Sequence, residues 1–129
     1  MNRKIMGIVI VLVLLAVGFF VFQKTNTTGS AINAPVKEFT MESFYDNTGI
    51  WFSLKEISVN KGDLVRIKVT NIKGTHDFTL DEYGIKKMTP LNKEVVIEFT
   101  ADKVGEFIYY CSVPGHRQKG QWGTLKVIG

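Results

Sequence analysis

The pattern of hydrophobic and polar positions divides the chain into three parts. Residues 5–22 read IMGIVIVLVLLAVGFFVF, a run without a charged side chain. Residues 24–34, KTNTTGSAINA, are small and polar and show no periodicity, whereas from Pro35 onward short apolar or alternating runs are separated by turn residues. The pattern therefore predicts a membrane anchor over residues 1–23, a flexible tether over 24–34 and a folded domain over 35–129.

The first run has the length of a transmembrane helix. A helix of these residues, rising about 1.5 Å per residue, spans roughly 27 Å, close to the thickness of the hydrocarbon layer. Arg3 and Lys4 precede the run, which favours a cytoplasmic N-terminus and a domain on the extracytoplasmic side, periplasmic or extracellular. A cleaved signal peptide is the alternative, but its apolar core is usually only about 7–15 residues. We therefore expect a single-pass anchor in the cytoplasmic membrane that is not cleaved.

The folded domain has the patterning of an all-β structure. Alternation or enrichment in β-branched residues predicts strands in EFTMESF (38–44), LVRIKV (64–69), VVIEF (95–99), FIYY (107–110) and TLKVI (124–128). A further strand is predicted at DFTL (77–80). Turn residues such as Pro114-Gly115 lie between them. Short strands with such turns predict an antiparallel sandwich or barrel of roughly seven strands. DEYGIKKM (81–88) predicts a loop or a short helical turn.

Charge gives no support to a nucleic-acid-binding role. The formal net charge of the whole chain is +4, but Arg3, Lys4 and Lys24 supply three positive charges and no acidic residue precedes Glu38. The remainder of the chain is close to neutral and has no basic run, so nucleic acid is not an expected partner. A chain of 129 residues has room for one domain of ordinary size.

The residues able to carry chemistry are few. The chain has one cysteine, Cys111, and two histidines, His76 and His116. A lone cysteine excludes an intrachain disulfide and leaves a buried small hydrophobe, a reactive thiol or a metal ligand. His76 opens a strand, Cys111 follows FIYY, and His116 and Gln121 lie in the loop that returns to the last strand. In a sandwich these four positions can converge at one end.

Two imidazoles, a thiolate and a weak axial ligand form the donor set of a blue-copper site. Thiolate suits cuprous copper and imidazole suits both oxidation states, so a rigid site of intermediate geometry limits reorganisation during electron transfer. The spacing therefore predicts one copper ion held by four protein ligands. Because such a site has no open position on the metal, we expect no small-molecule substrate and no enzymatic activity.

Other chemistries fit these residues less well. Cys111 and His116 could form a hydrolase dyad, but no motif supplies an oxyanion hole. Structural zinc usually needs four Cys or His ligands, and the chain offers three such residues. A multicopper oxidase cluster needs many more histidines, and a binuclear copper centre needs a second cysteine. Taken singly, each residue also fits an ordinary structural role, and Tyr109, Tyr110 and Trp122 are interpreted as core and packing residues.

Two paired motifs carry a family resemblance. GDLVRIKVTN leading to THDF, and YCSVPGH followed by GQWGTLKV, resemble the cupredoxins, the plastocyanin and azurin family of small blue-copper proteins. The resemblance covers roughly residues 50–129 and implies a Greek-key antiparallel β-sandwich. It also implies that His76, Cys111 and His116 are the equatorial copper ligands.

The resemblance has one departure and implies one supporting contact. Plastocyanin-like members usually carry an axial methionine where this chain has Gln121, the axial residue of the stellacyanin-like branch. In the family, the residue after the first histidine often bonds to the residue after the cysteine. For this chain, that similarity implies a second-shell contact between Asp77 and Ser112.

The resemblance implies a function as well. A cupredoxin tethered to the membrane is expected to carry single electrons between redox-partner proteins through transient contacts. In the family the second histidine is the electron port, which is His116 here, with Pro114, Gly115, Met88 and Pro90 around it. The alternative is a cell-surface copper carrier or storage protein, although carriers tend to use open, methionine-rich sites. A purely structural sandwich is a third interpretation.

Overall fold

The computed structural model describes residues 35–129, which form a β-sandwich. The expected membrane anchor (1–23) and tether (24–34) lie outside the described residues. Within residues 35–129, no helix has the length and apolar character needed to cross a bilayer. The strands of this region are β1 (Val36–Asp46), β2 (Gly49–Phe52), β3 (Glu56–Asn60), β4 (Leu64–Asn71), β5 (His76–Leu80), β6 (Ile85–Thr89), β7 (Glu94–Thr100), β8 (Gly105–Tyr110) and β9 (Trp122–Ile128).

The strands form two sheets. One sheet has the order β2-β1-β4-β7 and the other has the order β3-β9-β8-β5-β6. β4 shows why they pack face to face: Val65, Ile67 and Val69 point into the core, while the residues between them are half-buried. This alternation places one apolar face of each sheet against the other. The expected all-β sandwich is therefore confirmed.

Both sheets are mixed, so the expectation of a purely antiparallel sandwich was wrong. β1 runs parallel to β4, with Val36 opposite Leu64 and Ser43 opposite Asn71. β3 runs parallel to β9. Parallel neighbours need a long connection between them. Here β2 and β3 connect β1 to β4, and the strands from β4 to β8 connect β3 to β9.

The segment 81–88 was only partly predicted. Asp81–Tyr83 forms a single 3-10 turn, but Ile85–Thr89 forms β6, which pairs antiparallel with β5 at the edge of the second sheet. Lys86 and Lys87 are exposed because an edge strand has one side open to solvent. Because these two adjacent residues are both charged, β6 lacks the apolar alternation from which strands are predicted.

Three segments meet at one end of the sandwich, here called the site end: residues 71–75, 88–93 and 111–121. The buried side chain of Asn71 joins the first two, since its Nδ2 donates to the carbonyl oxygens of Gly74 (2.9 Å) and Thr89 (2.8 Å). The backbone N–H of Asn92 donates to the carbonyl oxygen of Asn71 at 2.7 Å. These bonds fix the loops that present the candidate ligands.

Candidate metal centre

Cys111 directly follows β8 and is fully buried. Its backbone N–H donates to the carbonyl oxygen of Gln121 at 3.0 Å, which closes the base of the 111–121 loop. Its Sγ accepts a hydrogen bond from the backbone N–H of Asp77 at 3.4 Å. Burial raises the pKa of the Cys111 thiol, and the N–H of Asp77 opposes that rise. The free thiol is therefore neutral at neutral pH, and a cation is needed to stabilise the thiolate.

His76 is the first residue of β5 and is also fully buried. Its Nε2 lies 2.8 Å from the carbonyl oxygen of Lys73. A carbonyl oxygen only accepts, so Nε2 carries the proton and Nδ1 presents a lone pair to the site. Burial lowers the pKa of His76, which keeps the imidazole neutral.

Gly74 allows the loop before β5 to pass close to the ring of His76. Its φ of +100° lies in a region that favours glycine, and a Cβ there would stand 2.7 Å from Nε2 of His76. Any larger residue would therefore push the ring away from the carbonyl oxygen that orients it.

His116 and Gln121 lie on the tight loop between β8 and β9. The backbone N–H of His116 donates to the carbonyl oxygen of Val113, and the N–H of Gln121 donates to the carbonyl oxygen of His116, each at 3.0 Å. Nδ1 of His116 lies 3.2 Å from Nδ1 of His76 and 3.5 Å from Sγ of Cys111. His116 is half-buried, whereas Cys111 and His76 have no exposed surface.

The amide of Gln121 is oriented from the opposite sheet. Its Nε2 donates to Oγ of Ser43 at 2.9 Å and to the carbonyl oxygen of Trp51 at 3.2 Å. Because that carbonyl can only accept, the NH₂ group must face it, and Oε1 must face the histidines. Oε1 lies 2.8 Å from Nδ1 of His76 and 3.1 Å from Nδ1 of His116.

The donor atoms of four side chains thus face one point. The ligand atoms of His76, Cys111 and His116 all lie within 4.8 Å of one another. Nδ1 of neutral His76 and Oε1 of Gln121 present lone pairs to each other at 2.8 Å. Two acceptors at that distance repel unless positive charge lies between them. The set of two imidazoles, a thiol and an amide oxygen therefore fits a cation, and the softness of the sulfur ligand suits copper.

Asp77 connects the two segments that carry His76 and Cys111. Its Oδ1 accepts the backbone N–H of Ser112 at 2.6 Å, and its Oδ2 accepts the Ser112 hydroxyl at 2.5 Å. Thr79 donates its hydroxyl to Oδ1 at 3.3 Å. The carboxylate is nearly inaccessible to solvent, so these bonds hold the start of β5 against the residue after Cys111.

Some residues around the site were missed or misread from the sequence. Ser43, Asn71 and the carbonyl oxygen of Lys73 orient the site, yet no local pattern marks them. Tyr109 is a core residue as expected, with no exposed surface, but Trp122 is 45% exposed and the expectation that it packs in the core was wrong. Trp122 begins β9 on the outward face, next to the buried Gly123.

Tyr110 lies on the outer side of β8, opposite to Tyr109. The guanidinium of Arg117 stacks 4.3 Å from the centre of its ring, and its hydroxyl donates to Oδ2 of Asp81 at 3.0 Å. The hydrogen bond to Asp81 raises the pKa of the Tyr110 phenol, and the positive charge of Arg117 opposes that rise. Tyr110 is therefore a packing residue at the surface beside the site end.

Comparison with curated proteins gives two nitrous-oxide reductases as relatives of this chain. Over 65 residues, 47% of this chain, it is 34% identical to the nitrous-oxide reductase of Cupriavidus necator, and it spans only 10% of that protein's length. The nitrous-oxide reductase of Ralstonia nicotianae matches to the same extent.

Solved structures share the fold at lower identity. The "blue" copper protein auracyanin A of Chloroflexus aurantiacus matches with a TM-score of 0.55 and 22% identity, covering 70% of this chain and 99% of that one. The copper-containing nitrite reductase of Thermus scotoductus matches with a TM-score of 0.61 and 24% identity, covering 72% of this chain and 28% of that one.

The family model agrees with both sets of matches. The model of the cupredoxin-like domain matches residues 11–122, which is most of the chain. Its match includes β1 to β8, the 111–121 loop and both histidines. The protein therefore belongs to the cupredoxin-like domain family.

Proposed function

We propose that this domain binds one copper ion and carries single electrons between redox-partner proteins. The ligands are Nδ1 of His76, Sγ of Cys111 and Nδ1 of His116, with Oε1 of Gln121 as the axial ligand. The observation that carries the proposal is the convergence of these four atoms, with Nδ1 of His76 lying 2.8 Å from Oε1 of Gln121. Such a set is stabilised by a cation and matches the donors of blue-copper sites.

The chain's own residues hold this site in place before the metal arrives. Copper, when bound, supplies a centre that accepts and releases one electron. Nε2 of His76 is held by the carbonyl oxygen of Lys73, and the NH₂ of Gln121 is held by Ser43. Since both outward-facing groups are hydrogen-bonded, the inward donor atoms have little freedom to move, and rigid ligands keep the reorganisation cost of electron transfer low.

Asp77 acts behind the ligands in this proposal. Its backbone N–H donates to Sγ of Cys111, and its carboxylate holds Ser112. The hydrogen bond to sulfur stabilises the thiolate, and the buried negative charge favours the higher oxidation state of the metal. The carboxylate of Asp77 therefore positions the cysteine segment, and its negative charge lowers the reduction potential.

His116 is the proposed electron port. It is half-buried, while the other three proposed ligands have no exposed surface. Pro114 is exposed and Gly115 is half-buried beside it, and Met88 and Pro90 are exposed on the adjacent segment. A partner protein can therefore approach the ring of His116 closely without displacing a large side chain.

We further propose that the domain is tethered to the outer face of the cytoplasmic membrane. The proposal rests on the apolar run 5–22 and on Arg3 and Lys4 before it. The chain enters β1 at Val36, the end of that strand farthest from Ser43 and Gln121. Val36 thus lies at the end of β1 away from the site end. The mass of the mature protein extracted from membranes tests this, since loss of the first residues would contradict an uncleaved anchor.

Spectroscopy of the full chain in detergent tests the copper site. We expect one equivalent of Cu(II) to give an intense absorption near the red end of the visible, a small parallel hyperfine splitting in electron paramagnetic resonance and reversible voltammetry. Cys111→Ser should abolish the absorption, whereas Gln118→Ala, an exposed change in the same loop, should leave it unchanged. A colourless copper complex, or an absorption that survives Cys111→Ser, contradicts the proposal.

The alternative function, a copper carrier or storage protein, predicts a different response to chelators. The metal-binding domain of the Streptococcus pneumoniae Cu(I)-exporting ATPase CopA has a similar fold, at 18% identity and a TM-score of 0.58. A carrier must release its metal readily, but three of the four proposed ligands here are fully buried. We therefore expect slow loss of copper to a weak chelator. Release as fast as mixing would favour the carrier.

A further inference from the structure

The site end presents an apolar surface around His116. Asn71 joins two of its segments through side-chain bonds and through its bridge to Leu91. His116 joins the third segment to His76. The exposed apolar residues on these segments are Ile72 (45%), Met88 (56%) and Leu91 (53%), with Pro90 and Pro114. These residues lie on the same three segments that meet at the site end, one of which carries His116, the proposed port.

Positive charge surrounds this apolar centre. The segments 71–75, 88–93 and 111–121 contain no Asp or Glu, and their basic residues are Lys73, Lys93, Arg117 and Lys119, all of them exposed. Between residues 35 and 129, by contrast, 13 Lys and Arg face 12 Asp and Glu. The domain is therefore nearly neutral overall, and its excess of positive charge is concentrated at the site end.

The nearest acidic groups do not cancel this charge at the apolar centre. The carboxylate of Asp77 is buried and bound to Ser112. Asp46, at the neighbouring β1–β2 turn, accepts hydrogen bonds from the backbone N–H groups of Thr48 and Gly49. Two exposed carboxylates adjoin the three segments: Glu94 begins β7 directly after Lys93, and Asp81 accepts the hydroxyl of the Tyr110 ring on which Arg117 stacks.

We propose that the electron-transfer partner is a protein whose docking face carries acidic residues around an apolar centre. The inference rests on the proposed function and adds the chemical character of the partner to it. Complementary charge at the rim raises the rate of encounter, and apolar contact at the centre brings the partner's redox group close to His116. Because the rim charges stay solvated, they affect association more than affinity, and salt screens them.

Cytochrome c in two charge forms provides matched probes. Unmodified cytochrome c has a basic face, and succinylation of its lysines makes the same protein acidic without changing the haem. With the copper-loaded full chain, we expect electron transfer with the succinylated form to slow as ionic strength rises. Electron transfer with the unmodified form should accelerate under the same change, because salt screens attraction in one case and repulsion in the other.

Charge reversal at two exposed lysines localises the effect. The side chains of Lys93 and Lys119 make no hydrogen bond or salt bridge with any residue in the range 35–129, so Lys93→Glu/Lys119→Glu removes no structural contact recorded there. We expect it to slow transfer with succinylated cytochrome c by roughly tenfold at low salt. The control Lys37→Glu/Lys61→Glu changes the same net charge at the other end of the sandwich and should have little effect.

The outcomes separate this inference from the proposed function. Equal rates and equal salt dependence for the two cytochromes, with reversible voltammetry intact, overturn the acidic partner and leave the electron carrier in place. Equal slowing by the site-end and control variants also overturns it, since net charge rather than charge at the site end would then be responsible. Failure of the chain to bind copper would contradict the proposed function itself, and the inference with it.

Discussion

The amide of Gln121 shows how much a single buried residue contributes to the proposed site. Its two ends have different partners: the NH₂ group faces Ser43 and Trp51, and the oxygen faces His76 and His116. A flipped amide would place donors against Nδ1 of His76 and leave its oxygen against the Trp51 carbonyl. The hydrogen bonds that this NH₂ group donates to β1 and β2 therefore select the orientation that suits a cation.

The identity of the axial residue should set the reduction potential. An amide oxygen is a harder donor than a thioether and favours the cupric state. We expect Gln121→Met to have a higher potential than the natural protein in voltammetry, with the copper absorption retained. Gln118→Met, in the same loop but exposed, is the control. A Gln121→Met potential equal to or below that of the natural protein would show that Gln121 is not the axial ligand.

Ser43 is expected to position Gln121 rather than to bind metal. Ser43→Ala removes a buried acceptor of the Gln121 amide and should destabilise the metal-free protein by about 1–2 kcal/mol in urea unfolding. It should also speed hydrogen exchange of the Gln121 side-chain amide in nuclear magnetic resonance spectra. Ser58→Ala, on the exposed side of β3, should change neither quantity. Unchanged exchange of the Gln121 amide in Ser43→Ala would argue against the positioning role.

Among the structural elements, β8 and β9 form the frame that holds the ligand loop. They pair antiparallel from Gly105–Val127 to Tyr110–Trp122, so the 111–121 loop begins and ends on adjacent strands. Within this pair Gly123 lies opposite Tyr109, whose ring packs between Phe52 and Phe78 and whose hydroxyl donates to the carbonyl oxygen of Leu54 at 2.8 Å. The ring lies over the glycine because no side chain occupies that position.

Gly123 should therefore tolerate no side chain. A Cβ at this position would stand 2.3 Å from Cζ of Tyr109, closer than two carbon atoms can approach. We expect Gly123→Ala to destabilise the protein by about 1–3 kcal/mol, measured by urea unfolding, because the buried ring must move. At Gly129 a Cβ meets nothing closer than 3.4 Å, so Gly129→Ala is the matched control. Equal stability of the two variants would contradict the packing described.

The element scale also shows what periodicity could predict. β4 and β7 were predicted from alternation or from enrichment in β-branched residues, and both are confirmed. β2 has only four residues, too few for a periodic signal. β6 contains two adjacent lysines and therefore shows no alternation, although it pairs with β5. Such strands depend on hydrogen bonds from a neighbour that is already in place, which no local pattern reports.

For the whole molecule, the buried site makes the stability of the metal-free protein depend on pH. Burial lowers the pKa of His76 below its usual 6.5. As pH falls through 6.5, His76 is therefore protonated in the unfolded chain while it is still neutral in the folded chain. Burial raises the pKa of Cys111 above its usual 9.0, so as pH rises through that value the unfolded chain releases a proton that the folded chain keeps. In both cases the change favours the unfolded state.

We therefore expect the metal-free protein to be most stable between pH 6.5 and pH 9.0, the usual pKa values of the two groups. The free energy of unfolding from urea titrations at several pH values measures this. Cys111→Ser should lose part of the alkaline decline and keep the acid decline, because it removes only the thiol. An alkaline decline of the same size in Cys111→Ser would mean that other groups cause it.

The sequence by itself determined the kinds of donor atom and the part of the site that lies within one loop. Cys111, His116 and Gln121 fall within eleven positions, and chain continuity keeps them close once β8 and β9 pair. It also determined the apolar alternation of the longer strands, because burial of one sheet face requires that spacing.

Only the tertiary structure decided how the N–H of Asp77 reaches Cys111 across 34 positions of sequence, and how Ser43 reaches Gln121 across 78. It also decided the parallel pairing of β1 with β4 and of β3 with β9. Contacts between distant segments depend on the packing of both sheets at once. The orientation of a buried amide depends on which partners that packing brings to each of its ends.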